Sequence, residues 1–261
     1  MVYFVATPIG NLKEITHRAI EVLSSVDAIF CEDTRHSQVL LNHYQIKKPL
    51  YSYHKFNEKS SLDFVVSLAE KGDVAVISDA GMPAINDPGN LLINHLKSLD
   101  MPYTVVSGPS AFVNAVVLSG YQPPFTYVGF LPEKTKDKQA MLDSVKTDGV
   151  LIFYLSVHNI QKDMQFLYQQ LGERDVCLVK ELTKMHETVR FCKLSDKIDD
   201  DKGEFVLILD KKQASNPLCN LSVTDHVAHY VNCGMSKNDA IKQTAKDRGV
   251  SKNEIYQQTL N

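Results

Sequence analysis

Within its first 120 residues the chain repeats one pattern: a short apolar, largely β-branched run, then a stretch of helical periodicity. The runs fall at residues 2–6, 27–31, 50–53, 73–78 and 103–107, and the helical stretches at 16–24, 36–43, 59–70, 88–99 and 109–119. Strands alternating with helices of this length are βαβ units, which build a parallel sheet. In "DVAVIS" the run is apolar throughout rather than alternating, as expected when helices cover both faces of the sheet.

"SGYQPPF" at residues 119–125 breaks the pattern and marks a domain boundary. Strands are then expected at 127–131, 149–154, 175–180, 188–194 and 204–209, with helices at 136–145 and 159–170. The polar "SDKIDDDKG" between 188–194 and 204–209 suggests that these two strands pair as an antiparallel hairpin. "KKQASNP" at 211–217 reads as a linker. Beyond it, "SKND" at Ser236 and "SKNE" at Ser251 are capping boxes, each with an acid three residues after the serine. With residues 223–233 they define three short helices of helix-turn-helix appearance. The expected architecture is therefore α/β in three parts: a parallel-sheet domain over 1–120, a mixed-sheet domain over 121–212, and a helical module over 220–261.

The bulk numbers narrow the function. Net charge is −3 and the pI is near 6.3, so no global positive field draws nucleic acid, and any such partner must meet a local basic patch. Five cysteines without a CxxC spacing argue against a disulfide framework or a zinc site and fit a reducing compartment. Cys31 and Cys177 lie in apolar runs and read as core fillers. His226 and His229, three apart on a helix, lack companion ligands, so no metal is expected. No basic segment precedes the first apolar run, and no apolar stretch approaches the roughly 18 residues of a membrane span. A cytoplasmic protein without a membrane partner is the expectation.

Ligands of open α/β sheets bind beyond the carboxyl ends of the strands. Four segments fall there: "TPIGNLKEIT", "CEDTRH", "SDAGMPAINDPG" and "SGPSAF". Each precedes a helix, whose first N–H groups lack intrahelical partners. Neither GxGxxG nor GxxxxGK[ST] occurs, which disfavours dinucleotide and P-loop nucleotide sites. A carboxylate near a nucleoside suits ribose hydroxyls or a cationic group, and S-adenosylmethionine carries a sulfonium and an amino group but no phosphate. In "CEDTR", Glu32, Asp33 and Arg35 read either as surface charges forming a weak ion pair or, at a strand end facing the cleft, as Arg35 holding an RNA phosphate and Glu32 or Asp33 orienting a hydroxyl. "GFLPEKTKDK" (129–138) offers three lysines as a phosphate-contacting arm.

Taken together and in order over residues 2–210, "VATPIGNLKEITHRAIEVLSSVDAIFCEDTRHSQVLL", "VISDAGMPAINDPG", "VVSGPSA", "GFLPEK", "KELTKMHETVRF" and "KGEFVLIL" resemble the ribosomal RNA small subunit methyltransferase I family, which has a tetrapyrrole-methylase type of fold. The resemblance implies two α/β domains with S-adenosylmethionine between them, a homodimer, and methyl transfer to the ribose 2′-oxygen of a cytidine in the decoding region of small-subunit ribosomal RNA. It implies donor contacts at Pro8, Ile9, Gly10, Asp79, Gly81, Met82, Ala84, Ile85, Ser110, Ala111 and Leu182. The acceptor is expected in small-subunit RNA or the assembled small subunit. A ribose hydroxyl needs a base to take its proton, and Glu32, Asp33 and Lys134 are the candidates. One segment departs: the family usually reads Tyr-Glu-Ser-Pro-His-Arg where this chain has "YLSVHN" (154–159). Two other readings stay open, the same donor with a tetrapyrrole or protein side chain as acceptor, and a non-catalytic RNA-binding protein.

Overall fold

Strands β1 (Val2–Val5), β2 (Ala28–Cys31), β3 (Leu50–Ser52), β4 (Val74–Ile77) and β5 (Tyr103–Val106) form one parallel sheet in the order β3-β2-β4-β1-β5. The computed structural model describes residues 1–199, 202–212 and 217–259, and these fall into two units, Met1–Lys212 and Gln213–Asn261. Side chains alternate across the parallel sheet, and both faces are covered. Val5, Ile29, Cys31, Ala75 and Ile77 meet Ala19 and Leu23 of α1 (His17–Ser25) and Leu40 and Leu41 of α2 (Thr34–His43). Val2, Phe4, Phe30, Val74 and Val76 meet Val65 of α3 (Glu58–Ala69) and Leu92 and Leu96 of α4 (Asn90–Ser98). Two-sided burial is why these strands read as continuous apolar runs.

The second sheet contains β6 (Phe125–Phe130), β7 (Val150–Ser156), β8 (Asp175–Lys180), β9 (Thr188–Lys193) and β10 (Glu204–Leu209), in the order β6-β7-β10-β8-β9. The β6–β7 pair is parallel and the other pairs are antiparallel. One face packs Leu151, Phe153 and Leu207 against Leu142 of α6 (Thr135–Asp143) and Met164 and Leu167 of α7 (Ile160–Leu171). The other packs Val150, Ile152, Val206 and Ile208 against α5 (Ala111–Ser119), with Ala115 at the centre. Helix α5 follows the last strand of the first sheet yet seats on the second, so it joins the two layers.

The hairpin expected between 188–194 and 204–209 does not form: β8 lies between β9 and β10. The burial of the strands explains the order. Phe205–Leu209 are buried in succession, so β10 needs a partner on each side. β9 carries exposed Thr188, Arg190 and Lys193 and suits an edge, where charge discourages further pairing. Lys138 also departs from the expected arm. It is buried, pairs with Asp163 and lies 5.5 Å from the Phe166 ring centroid, so it is closed to phosphate.

The second unit has α8 (Val223–Asn232), α9 (Lys237–Arg248) and α10 (Lys252–Gln258). Ser222, Ser236 and Ser251 cap them, accepting from the N–H of Asp225, Asp239 and Glu254. Val227, Ala240, Ile241, Ala245 and Ile255 make its core. His226 is fully buried there. Its Nδ1 accepts from Arg248 Nε at 3.0 Å, and its Nε2 lies 3.2 Å from Asp247 Oδ2. An accepting Nδ1 requires the neutral ring, and burial holds the imidazole below its ordinary pKa. The linker expected at 211–217 falls largely outside the described residues, as do Asp200 and Asp201 of the expected hairpin loop. Among the described residues no helix is long and apolar enough to cross a membrane.

One buried carboxylate orders the approach to the strand ends. Glu58 Oε1 accepts from Tyr53 Oη at 2.9 Å, Gly89 N at 2.8 Å and Leu91 N at 3.2 Å. The last two are orphan N–H groups of α4, whose own N-cap residue, Gly89, has no side chain to do this. Glu58→Ala strands three donors, and we expect a loss of roughly 3 kcal/mol in urea unfolding. Glu58→Gln keeps an acceptor oxygen and is expected to recover part of that loss.

Candidate active site

The loops leaving β1 and β4 are joined by a reciprocal backbone pair. Thr7 N donates to Gly81 O at 2.9 Å, and Gly81 N donates to Thr7 O at 3.1 Å. Thr7 Oγ1 also donates to Ser78 O at 3.1 Å. The turn after Ser78 therefore lies across the carboxyl end of β1. Gly81 has φ +82°, and a Cβ there would meet Ile9 Cγ2 at 3.3 Å, so a side chain at this point is disfavoured by both conformation and space. Above this turn opens a cleft of about 470 Å³, within the range of small-molecule sites. Its floor is Asp79–Met82 and Ile85–Asp87, with Ser110 and Ala111 at the amino end of α5. Its far wall comes from the second sheet: Phe130, residues 154–158, Leu182, and residues 203–206 at the start of β10.

Four carboxylates line this cleft, Glu32, Asp79 and Asp87 on the side of the first sheet and Glu204, which pairs with Lys184 at 2.8 Å, on the far wall; among the described residues the lining contains no lysine or arginine. Burial, reinforced by the like charges of Asp87 and Asp79, raises the Glu32 pKa to about 7. Burial also raises Asp87, opposed by a hydrogen bond from Ser78. Asp79 Oδ1 accepts from Asp33 N at 3.2 Å, which fixes it against the start of α2. An acidic cleft without cations suits a cationic, phosphate-free ligand, and a carboxyl group titrating near neutrality can exchange a proton with that ligand's partner.

Of the residues chosen from sequence, Ile9, Glu32, Asp79, Gly81, Met82, Ile85, Ser110, Ala111 and Leu182 line the cleft. Others lie off the lining. Pro8 is buried behind it. Gly10 abuts the Leu182–Lys184 segment, and Asn11 N donates to Thr183 Oγ1 at 3.1 Å. Ala84 takes φ +65° and its N–H donates to Pro88 O at 3.2 Å, so it shapes the turn from within. Asp33 caps α2 and pairs with Arg35 at 3.1 Å, which holds its carboxyl below the usual range. Arg35 is exposed, and Lys134 is exposed at the start of α6. Thus, of the three candidate bases, Glu32 faces the cleft.

Sequence reasoning did not select Asn86, Asp87, Phe130 or residues 203–206 as site residues, and it marked residues 154–159 only as a departure from the family pattern. Asp87 and Phe130 sit inside motifs already quoted, "NDPG" and "GFLPEK", and strand-end position was the available signal. The 203–206 wall sits inside the quoted "KGEFVLIL" but had no strand-end signal. It is the amino end of β10, brought to the carboxyl edge of β7 by antiparallel pairing, with Glu204 opposite Ser156.

A family model described as tetrapyrrole (corrin/porphyrin) methylases matches residues 1–198. Ribosomal RNA small subunit methyltransferase I of Mycoplasmopsis pulmonis is 47% identical over 219 residues, covering 82% of this chain and 99% of that protein. The Bacillus subtilis protein of the same name is 35% identical over 270 residues, covering 98% and 92%. Among solved structures, uroporphyrin-III-C-methyltransferase from Thermus thermophilus aligns with a TM-score of 0.61 at 18% identity, over 80% of this chain and 94% of that one. Diphthine synthase aligns with a TM-score of 0.63 at 12% identity, over 80% and 89%. These two likenesses speak to the fold alone. The length and identity of the sequence matches go further, and the chain belongs to the ribosomal RNA small subunit methyltransferase I family, built on the tetrapyrrole methylase fold.

Proposed function

We propose that this chain transfers a methyl group from S-adenosylmethionine to the ribose 2′-oxygen of a cytidine in the decoding region of small-subunit ribosomal RNA. The observation that carries the reading is the combination of an acidic, cation-free cleft with Glu32 raised to about 7. Family membership supports methyl transfer, and the names of the relatives support small-subunit RNA. A homodimer acting in the cytoplasm on RNA or on the assembled small subunit completes the proposal.

The residues fit the donor. Backbone groups of Asp79, Ala80 and Met82, on either side of the Gly81 bridge to Thr7, offer hydrogen bonds to a nucleoside. Ile9, Met82 and Leu182 supply apolar walls for a flat base. Asp79 and Asp87 supply negative charge for an amino or sulfonium group. When bound, S-adenosylmethionine supplies an electrophilic methyl group on a sulfonium. The protein's own contribution is alignment and proton removal. Holding the acceptor hydroxyl in the cleft replaces a bimolecular encounter with a pre-oriented one. Glu32 accepts the hydroxyl proton, because its pKa lies close to neutral pH, where a base is both available and strong enough to act. Arg35 and Lys134, exposed outside the lining, are offered to RNA phosphates.

With labelled donor and small subunits that lack the modification, we expect one ribose-methylated cytidine in the mapped RNA. No transfer, or label on a base, overturns the reading. Glu32→Gln is expected to lower kcat by about 10²–10⁴ while calorimetry still detects donor binding. In the wild type kcat/KM for the donor, which reports the donor-free cleft, should rise with pH and level off above about 7, since Glu32 acts only when ionised. That acid limb should vanish in the variant.

A further inference from the structure

Strand β6 carries an irregularity that changes what faces the cleft. Its register with β7 runs Phe125 to Val150, Thr126 to Leu151 and Tyr127 to Ile152, then resumes with Gly129 at Phe153 and Phe130 at Tyr154. Val128 is the extra residue of a β-bulge, and Gly129 takes φ +81° to close it. Strand side chains alternate, so in an unbroken strand Phe130 would lie on the face opposite Tyr127. The bulge returns it to the same face. Ile152 and Tyr154, the partners of Tyr127 and Phe130, lie on the α5 side, whereas Phe153, the partner of Gly129, lies on the α6–α7 side. A large apolar side chain is thereby taken from a covered face and set in the cleft lining at 55% exposure.

Packed aromatic rings stand behind Phe130. Its ring meets Tyr154 at 5.3 Å between centroids, Tyr154 meets Tyr127 at 5.4 Å, and Tyr127 stacks on Phe112 at 4.4 Å. Tyr154 Oη accepts from Phe112 N at 3.1 Å, tying this aromatic series to α5. Asn86 of the floor donates to Tyr127 Oη. A Cβ at residue 129 would lie 2.8 Å from Asn86 Oδ1, so the bulge glycine also allows the floor to approach β6. Ser156 and His158 share the wall and carry polar groups. An exposed ring, buttressed along one edge and flanked by hydrogen-bonding side chains, has the make-up of a nucleobase platform.

We propose that Phe130 stacks on the nucleobase of the acceptor nucleotide, and that the bulge at Val128 exists to aim it there. This rests on the acceptor reading above. When a nucleotide leaves its stack to present its ribose hydroxyl, an aromatic face replaces part of the stacking that is lost. Phe130 is thus a binding residue for the acceptor and has no part in holding the donor.

The test is steady-state kinetics on small subunits lacking the modification, with donor affinity measured separately by calorimetry. Phe130→Leu keeps the apolar bulk and removes the π-face, and the side chain is exposed enough for the variant to fold. We expect Phe130→Leu and Phe130→Ala each to raise the KM for subunits about tenfold or more. Phe130→Tyr should recover most of that loss, and the donor dissociation constant should move less than about twofold in all three. Kinetics of Phe130→Leu within twofold of wild type overturn the inference, as does a donor affinity that falls in step with the subunit KM. So does a change of oligomeric state in Phe130→Ala, which would make the ring a subunit contact. A wild-type chain that binds donor but methylates no ribose overturns the acceptor reading and this inference together, whereas an active wild type matched by Phe130→Leu overturns this inference alone.

Discussion

The pair of backbone hydrogen bonds between Thr7 and Gly81 holds the site together. Parallel strands end side by side, but their outgoing loops have no ladder to keep them in register. Here two loops borrow one antiparallel bridge, and everything above it takes its position from that link. Ile9 leans on Gly81, the turn through Asp87 spreads outward, and Glu58 fastens the far end at the start of α4. These links run between the chain's own groups, and a floor tied by its own backbone limits the ordering entropy that binding must overcome.

The electrostatics follow from that placement. Glu32 leaves β2, and Asp79 and Asp87 leave β4, its neighbour in the sheet. Adjacent parallel strands thus deliver three partly buried carboxyl groups to one cavity, and Glu32, facing the like charges of Asp87 and Asp79, holds its proton up to near neutrality. A nearby cation lowers such a pKa, as a like charge raises it. The cleft is therefore least comfortable when empty of positive charge, and a cationic guest relieves the repulsion. The absence of lysine and arginine from the lining preserves this effect.

Much of the first sheet was legible in the residues, because burial on both faces leaves an unmistakable apolar run and each run ends in loop-forming residues. Two of the three capping serines of the helical unit, Ser236 and Ser251, were legible for a similar reason: a side chain that must accept from an N–H three residues on has few alternatives. Pairing in the second sheet was not. Antiparallel order depends on which strand can bear an exposed edge, and the charge on β9 against the apolar run of β10 decides it only once all five strands are weighed together. Lys138 was read with Lys134 and Lys136 as part of a phosphate-contacting arm because its neighbours in sequence are charged, whereas Asp163 and Phe166, remote in sequence, hold it inside. Glu32 could not be separated from Asp33 by spacing. The helix cap claims one carboxylate and leaves the other to the cleft, a distinction of backbone geometry.

Helix α5 has one end at the cleft and its flank on the second sheet, with Ala115 fully buried between β7 and β10. Ser110 and Ala111 therefore move only as far as that packing lets them. The separation between the two walls is gauged by the girth of a helix seated on an alanine, in the manner of a spacer of fixed thickness, and a bulkier residue at position 115 would reset the aperture without touching any group that meets a ligand.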